Sequence, residues 1–157
     1  MPSDEIRYKG LGYVCLNVTD LERSRAFYAD MVGLEPVAAS EPGMALFRCS
    51  DGHHDLVLYE AAPAGLRRIA WEMESAAALE AAREHLRELG HPVIDISAEE
   101  AAIMAIERGF RSTEPGSGAV FEYFISMAPA RDAFKPSHTN FTRVGHIVLG
   151  SPQAARS

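Results

Sequence analysis

Six histidines and two cysteines are the side chains of this 157-residue chain best suited to hold a metal or to act as base or nucleophile. Their spacing limits what they can do. His53 and His54 adjoin in the turn Asp51-Gly52-His53-His54-Asp55, where a solvated loop, at most a weak surface metal patch, is expected. His85 sits beside Glu84 and Arg87 on a helical stretch and is expected to be exposed. His91 follows a helix stop, and His138 lies in a proline-containing loop. None of these stands at ligand spacing from another histidine or a carboxylate. Cys15 and Cys49 lack CxxC spacing and sit inside apolar runs, so buried thiols are expected rather than a metal or redox pair. Gly116-Ser117-Gly118 lacks the lysine and the strand-loop-helix setting of a phosphate loop, and no G-x-S-x-G nucleophile elbow occurs. His146 lies within the apolar run Val144-Gly145-His146-Ile147-Val148-Leu149, which reads as a strand.

Composition narrows the setting. Apolar residues make up 47% and charged residues 24%, the balance of a soluble globular chain rather than a disordered one. Fifteen basic against 22 acidic residues give a net charge of −7, which excludes a general nucleic-acid binder. The two lysines, Lys9 and Lys135, form no basic patch for a membrane surface. No apolar run approaches the ~18–20 residues that span a bilayer, and the polar residues 1–9 contain no hydrophobic signal core. A cytoplasmic protein without a nucleic-acid or membrane partner is expected.

The elements that must position these residues come as a repeated unit. Residues 11–18 read as a strand, Asp20 as a helix N-cap, and 21–32 as a helix stopped by Gly33. Strands over 35–40, 44–49 and 55–60 follow, separated by Pro42-Gly43 and Asp51-Gly52. That order, β-α-β-β-β, recurs with a strand over 66–73, a helix over 76–89 ending at Gly90, and strands over 91–96, 110–113 and 119–125. Residues 97–108 have helix composition and look inserted, as a cover for a sheet edge or a cavity mouth. Trp71, Phe121, Tyr123 and Phe124 lie on strands, where core packing accounts for at least two of them. The fold class is α+β: two βαβββ modules, 10–63 and 64–126, forming a mixed, half-open barrel with the helices outside. A tail precedes them at 1–9 and a linker follows at 127–142. Residues 144–149 then match 11–16 position by position in hydrophobic type. Residues 143–157 therefore read as the opening strand of a truncated second domain.

The segment Asp20-Leu21-Glu22-Arg23-Ser24-Arg25-Ala26-Phe27-Tyr28, of pattern D-L-x-x-S-x-x-F-Y after the first strand, resembles the vicinal oxygen chelate superfamily of glyoxalases, bleomycin-resistance proteins and type I extradiol dioxygenases. The stretch Phe141-Thr142-Arg143-Val144-Gly145-His146-Ile147-Val148-Leu149 is similar to the opening of the iron-bearing half of the extradiol enzymes. The resemblance implies the metal-free, N-terminal half of an Fe(II)-dependent dioxygenase. The full protein would act on an aromatic diol and O₂, whereas this fragment would hold no cofactor and carry no catalysis. It also implies that His146 is an iron ligand once the second half is present.

Aligning the two modules on the family's pattern puts its metal positions at Tyr13, Arg68 and Glu122. Of these, only Glu122 keeps a ligand's chemistry. A tyrosine is protonated at neutral pH, and a guanidinium repels a cation. Arg68 and Glu122 are expected to face each other as an ion pair. Two other readings stand beside this one: a resistance-type module that binds a small molecule without metal, and a glyoxalase-like metal-dependent lyase or isomerase completed across a dimer. A half-protein with an exposed domain face is expected to self-associate as a homo-oligomer.

Overall fold

In the computed structural model, which describes residues 5–39 and 41–150, the alternating runs form strands and the 3.6-period runs form helices. The first module runs from β1 (Tyr8–Val18) through α1 (Leu21–Ala26) to β2 (Glu35–Val37), β3 (Met44–Arg48) and β4 (Leu56–Glu60). The Asp20 carboxylate accepts the Arg23 amide at 3.0 Å, the cap its position calls for. The helix then widens into a π-helical turn, Phe27–Val32, and ends at Gly33, whose φ of 80° lies in the left-handed region. The second module repeats the order with β5 (Gly65–Met73), α2 (Ala76–Glu88), β6 (Ile94–Asp95), β7 (Ile106–Thr113) and β8 (Val120–Met127). A short extra helix, α3 (Ala98–Ile103), stands between β6 and β7.

All eight strands form one mixed, unclosed sheet in the order β2-β3-β4-β1-β5-β8-β7-β6. In each module the first and last strands pair in parallel, β1 with β4 and β5 with β8. The modules meet through their first strands, with β1 antiparallel to β5. Alternation along β1 separates the two faces. Val14 and Leu16 point to the side where Leu21 of α1 packs with Ala45, Phe47, Leu56 and Leu58. Tyr13 and Cys15 point into a cup with Leu46, Val57, Ala70 and Phe124. Helix α2 buries Ala78, Leu79 and Ala82 with Phe110, Tyr123 and Ile125. Both cysteines are buried and free, and Tyr123 and Phe124 are buried on β8.

Several boundaries differ from expectation for physical reasons. The tail is shorter than residues 1–9, because Tyr8 pairs with Met73 and Tyr8 and Lys9 belong to β1; residues 1–4 lie outside the described residues. Of the strand expected over 35–40, three residues pair with β3, and Ser40 lies outside the described residues. The strand expected over 91–96 shrinks to two residues at the sheet edge, after Pro92, which lacks an N–H for a ladder. The helical stretch 97–108 is divided. Residues 98–103 form α3, Ala105 turns the chain with φ of 52°, and Ile106 enters β7 opposite Met127. Sheet pairing overrides helix composition there.

Residues 143–150 carry no strand ladder in this chain; 151–157 lie outside the described residues. Strand character needs a neighbour, and this segment pairs with none in the sheet. The linker is tied down instead of trailing. Ser137 Oγ donates to the Gly33 carbonyl at 2.6 Å and Thr139 Oγ1 to the Val32 carbonyl at 2.8 Å, so it covers carbonyls at the helix end.

Candidate functional site

Strand register builds the site. Tyr13 lies opposite Ala70 across β1 and β5, Ala70 opposite Glu122 across β5 and β8, and Glu122 opposite Arg111 across β8 and β7. Arg68 is two residues before Ala70 and so shares its face. Tyr13, Arg68 and Glu122 therefore converge in the cup, at 0, 5 and 0% exposure.

Glu122 is the hub. The Tyr13 hydroxyl donates to its Oε1. Arg111 Nε donates to Oε2 at 2.7 Å, and Arg68 Nε lies 3.3 Å from the same oxygen. Burial pushes the Glu122 carboxyl up to about 8. Above this layer, Glu100 of α3 places both carboxylate oxygens on Arg111, one of them 3.1 Å from Nη1. Arg68 Nη2 donates to the Tyr59 hydroxyl at 3.0 Å. Ala101 and Met104 belong to the same buried cluster as Tyr13, Ala70 and Phe124, so α3 covers the cup as the inserted segment was expected to cover a cavity mouth.

The chemistry of this layer is that of a paired carboxylate. A phenol and two guanidinium groups surround one buried acid, an arrangement that satisfies an anion. Among the described residues, no three His, Cys, Asp or Glu side chains are grouped to hold a metal ion. Burial pushes the Cys15 thiol up to about 11 despite the nearby Arg68, and the Cys49 thiol to about 12, so neither is a thiolate nucleophile at neutral pH.

His54 corrects the loop reading of the histidine pair. It is fully buried, with its ring centroid 4.6 Å from that of Tyr13 and its Nδ1 3.0 Å from His53 Nδ1. Burial, with a smaller push from His53, lowers it to about 3, so the ring is neutral. Residues at a strand entrance follow the sheet inward, which the turn signal alone hides. His85 is half-buried rather than exposed, while His138 is exposed. His146 is exposed in the unpaired stretch, apart from the cup residues. Its neighbours Phe141, Arg143 and Val144 border a recess with Val14, Val32, Leu34 and Leu56, on the α1 side of the sheet.

The sequence reading did not single out Arg111, Glu100 or Tyr59. Arg111 had a signal: Thr113 and Val120 flank the turn between β7 and β8, and counting back along that hairpin puts Arg111 opposite Glu122. Glu100 had none, because nothing local tells which way an inserted helix faces.

The model of the Glyoxalase/Bleomycin resistance protein/Dioxygenase superfamily matches residues 10–124. A 1,2-dihydroxynaphthalene dioxygenase of Sphingobium xenophagum is 31% identical over 141 residues, covering 90% of this chain and 46% of its own length. A biphenyl-2,3-diol 1,2-dioxygenase of Sphingomonas paucimobilis is 28% identical with the same coverage. A crystal structure of catechol 2,3-dioxygenase superposes with a TM-score of 0.78 at 25% identity, covering 96% of this chain and 52% of that one. The chain thus spans about half the length of the curated relatives it matches.

Proposed function

This chain belongs to the Glyoxalase/Bleomycin resistance protein/Dioxygenase superfamily, and from that premise we propose that it is the N-terminal, metal-free half of an Fe(II)-dependent extradiol dioxygenase. The proposed substrates of the full protein are O₂ and an aromatic vicinal diol. The names of the relatives, which act on dihydroxynaphthalene and biphenyl-2,3-diol, support a diol with a second ring.

The observation that carries this reading is the exchange of chemistry in the cup. Non-heme Fe(II) sites use two imidazoles and a carboxylate. Here the three aligned positions hold a phenol that donates a hydrogen bond, a buried guanidinium and a carboxylate already engaged by two arginines. That donor set does not fit iron. The same arginine disfavours a glyoxalase-like site at this point, whether or not a dimer supplied the rest. In this proposal His146 belongs to the iron site of the other half and the first half serves as scaffold.

The test is metal analysis of the 157-residue chain after anaerobic Fe(II) loading, followed by oxygen uptake with 1,2-dihydroxynaphthalene and biphenyl-2,3-diol. Iron well below one equivalent and no uptake are expected. Near-equimolar iron, or uptake by the chain alone, would overturn the proposal. In a protein that also carries a second half, His146→Ala is expected to abolish bound iron and ring opening together.

A further inference from the structure

The cup holds more positive charge than its buried acid uses. Arg68 is 5% exposed, yet its Nε has no hydrogen-bond acceptor among the described residues, although Glu122 Oε2 is 3.3 Å away. Glu100 comes close without completing it, because both its oxygens are spent on Arg111 and the nearer one stays 3.7 Å from Arg68 Nη2. A buried guanidinium normally finds acceptors for its fork of N–H donors. Arg68 and Arg111 therefore present donors toward a point that one carboxylate from outside the sheet partly fills, while the Tyr59 hydroxyl accepts from Arg68 Nη2 at 3.0 Å and faces Met104 Sδ at 3.7 Å.

The element that brings this carboxylate is unlike the rest of the cup. α3 has six residues and no counterpart in the first module. It is entered through the two-residue edge strand β6 and left through Ala105, a non-glycine residue at φ 52°. Left-handed backbone at such a residue is strained and held in place by its surroundings. The Glu100 side chain keeps 32% of its surface, so the site it fills lies within reach of solvent. Burial alone would raise the Glu100 carboxyl, but Arg111 and then Arg68 hold it below the usual range. The charged form is the one that binds.

We propose that the cup contains a carboxylate-binding site, formed by Arg68 and Arg111, which the chain fills with its own Glu100. The ligand class is a compact carboxylate, and α3 is a strap that carries a tethered copy of it. The site is separate from any iron chemistry and stands on the contacts of the cup alone.

Glu100→Ala removes the atoms of one acetate: a methylene and a carboxylate. The experiment compares the melting temperature of this variant and of the unsubstituted chain in sodium acetate and sodium chloride at equal ionic strength, and in neutral acetamide. Acetate is expected to raise the variant's melting temperature by at least about 2 °C over chloride, with no rise in acetamide and none in the unsubstituted chain. Equal melting in acetate and chloride would overturn the proposal, as would an equal rise in acetamide or in the unsubstituted chain. If the variant is unfolded in chloride, the readout becomes recovery of far-UV circular dichroism. Recovery in acetate but not acetamide supports the site, and failure to recover in acetate overturns it.

Discussion

Burial shifts the titration of single residues in the cup in opposite directions, His54 downward and Glu122 upward, and so gives them opposite leverage on stability. His54 titrates near 6.5 in an unfolded chain and at about 3 in the fold, because burial penalises the imidazolium. Below 6.5 the unfolded chain binds a proton that the native one refuses. Stability linked to His54 is therefore complete above 6.5 and falls as the pH drops toward 3, by up to about 1.4 kcal/mol per pH unit. His54→Leu is expected to flatten that slope, measured as urea midpoints between pH 6.5 and about 4. Glu122 shifts in the other direction in both proteins, so the difference between their slopes isolates His54; parallel slopes would show that the ring is not buried as described. Glu122 itself is expected to be costly to remove. Glu122→Ala leaves the buried Arg68 guanidinium without its nearest carboxylate and the half-buried Arg111 with Glu100 alone, a loss of about 3 kcal/mol. Glu122→Gln keeps an acceptor for Tyr13 and should lose less. A loss under about 1 kcal/mol for the alanine variant would refute the hub role.

At the scale of elements, the β7–β8 hairpin sets which side chains meet in the cup, and its tightest point is Gly109. A Cβ there would be driven into the Tyr123 carbonyl oxygen and would crowd Ile96 Cδ1 and Phe124 Cβ at 3.0 Å. The backbone cannot retreat without breaking the pairing of Gly109 with Phe124. Gly109→Ala is therefore expected to destabilise by about 1–3 kcal/mol, whereas Gly10→Ala, with nothing within 4 Å of its Cβ, should stay within about 0.5 kcal/mol. Chemical denaturation of the two variants side by side checks this, and equal effects would contradict it. The helices were legible because their signals are local: Asp20 caps, Gly33 and Gly90 stop, and the apolar stripe does the rest; the Ser75 cap of α2 is seen in the structure. β6 and the end of α3 were misjudged because the first is limited by its pairing with β7 and the second by the pairing of β7 with β8 from Ile106 onward.

For the whole molecule, the joint between modules decides how it unfolds. β1 and β5 share the longest ladder between the modules, and the cup cluster mixes Cys15 and Val57 from the first module with Ala70, Met104 and Phe124 from the second. Neither module can keep its cup face dry alone, so one cooperative transition is expected. Trp71, the single tryptophan, lies on β5 and reports on the second module, while far-UV circular dichroism reports on both. Their urea transitions should coincide; two separated steps would show that the modules fold independently. Among the described residues, no helix is long and apolar enough to cross a membrane.

The amino-acid sequence by itself determined the βαβββ repeat and, through the motif after the first strand, the resemblance to the family. These depend on periodicity, caps and residue type, all of which are local or repeat along the chain. It did not determine that Arg111 and Glu100 complete the charge layer or that His54 is drawn inside. Those outcomes depend on which backbone lies beside which. Register across four strands and the direction in which an inserted helix faces are properties of the assembled sheet, and only the tertiary structure supplies them.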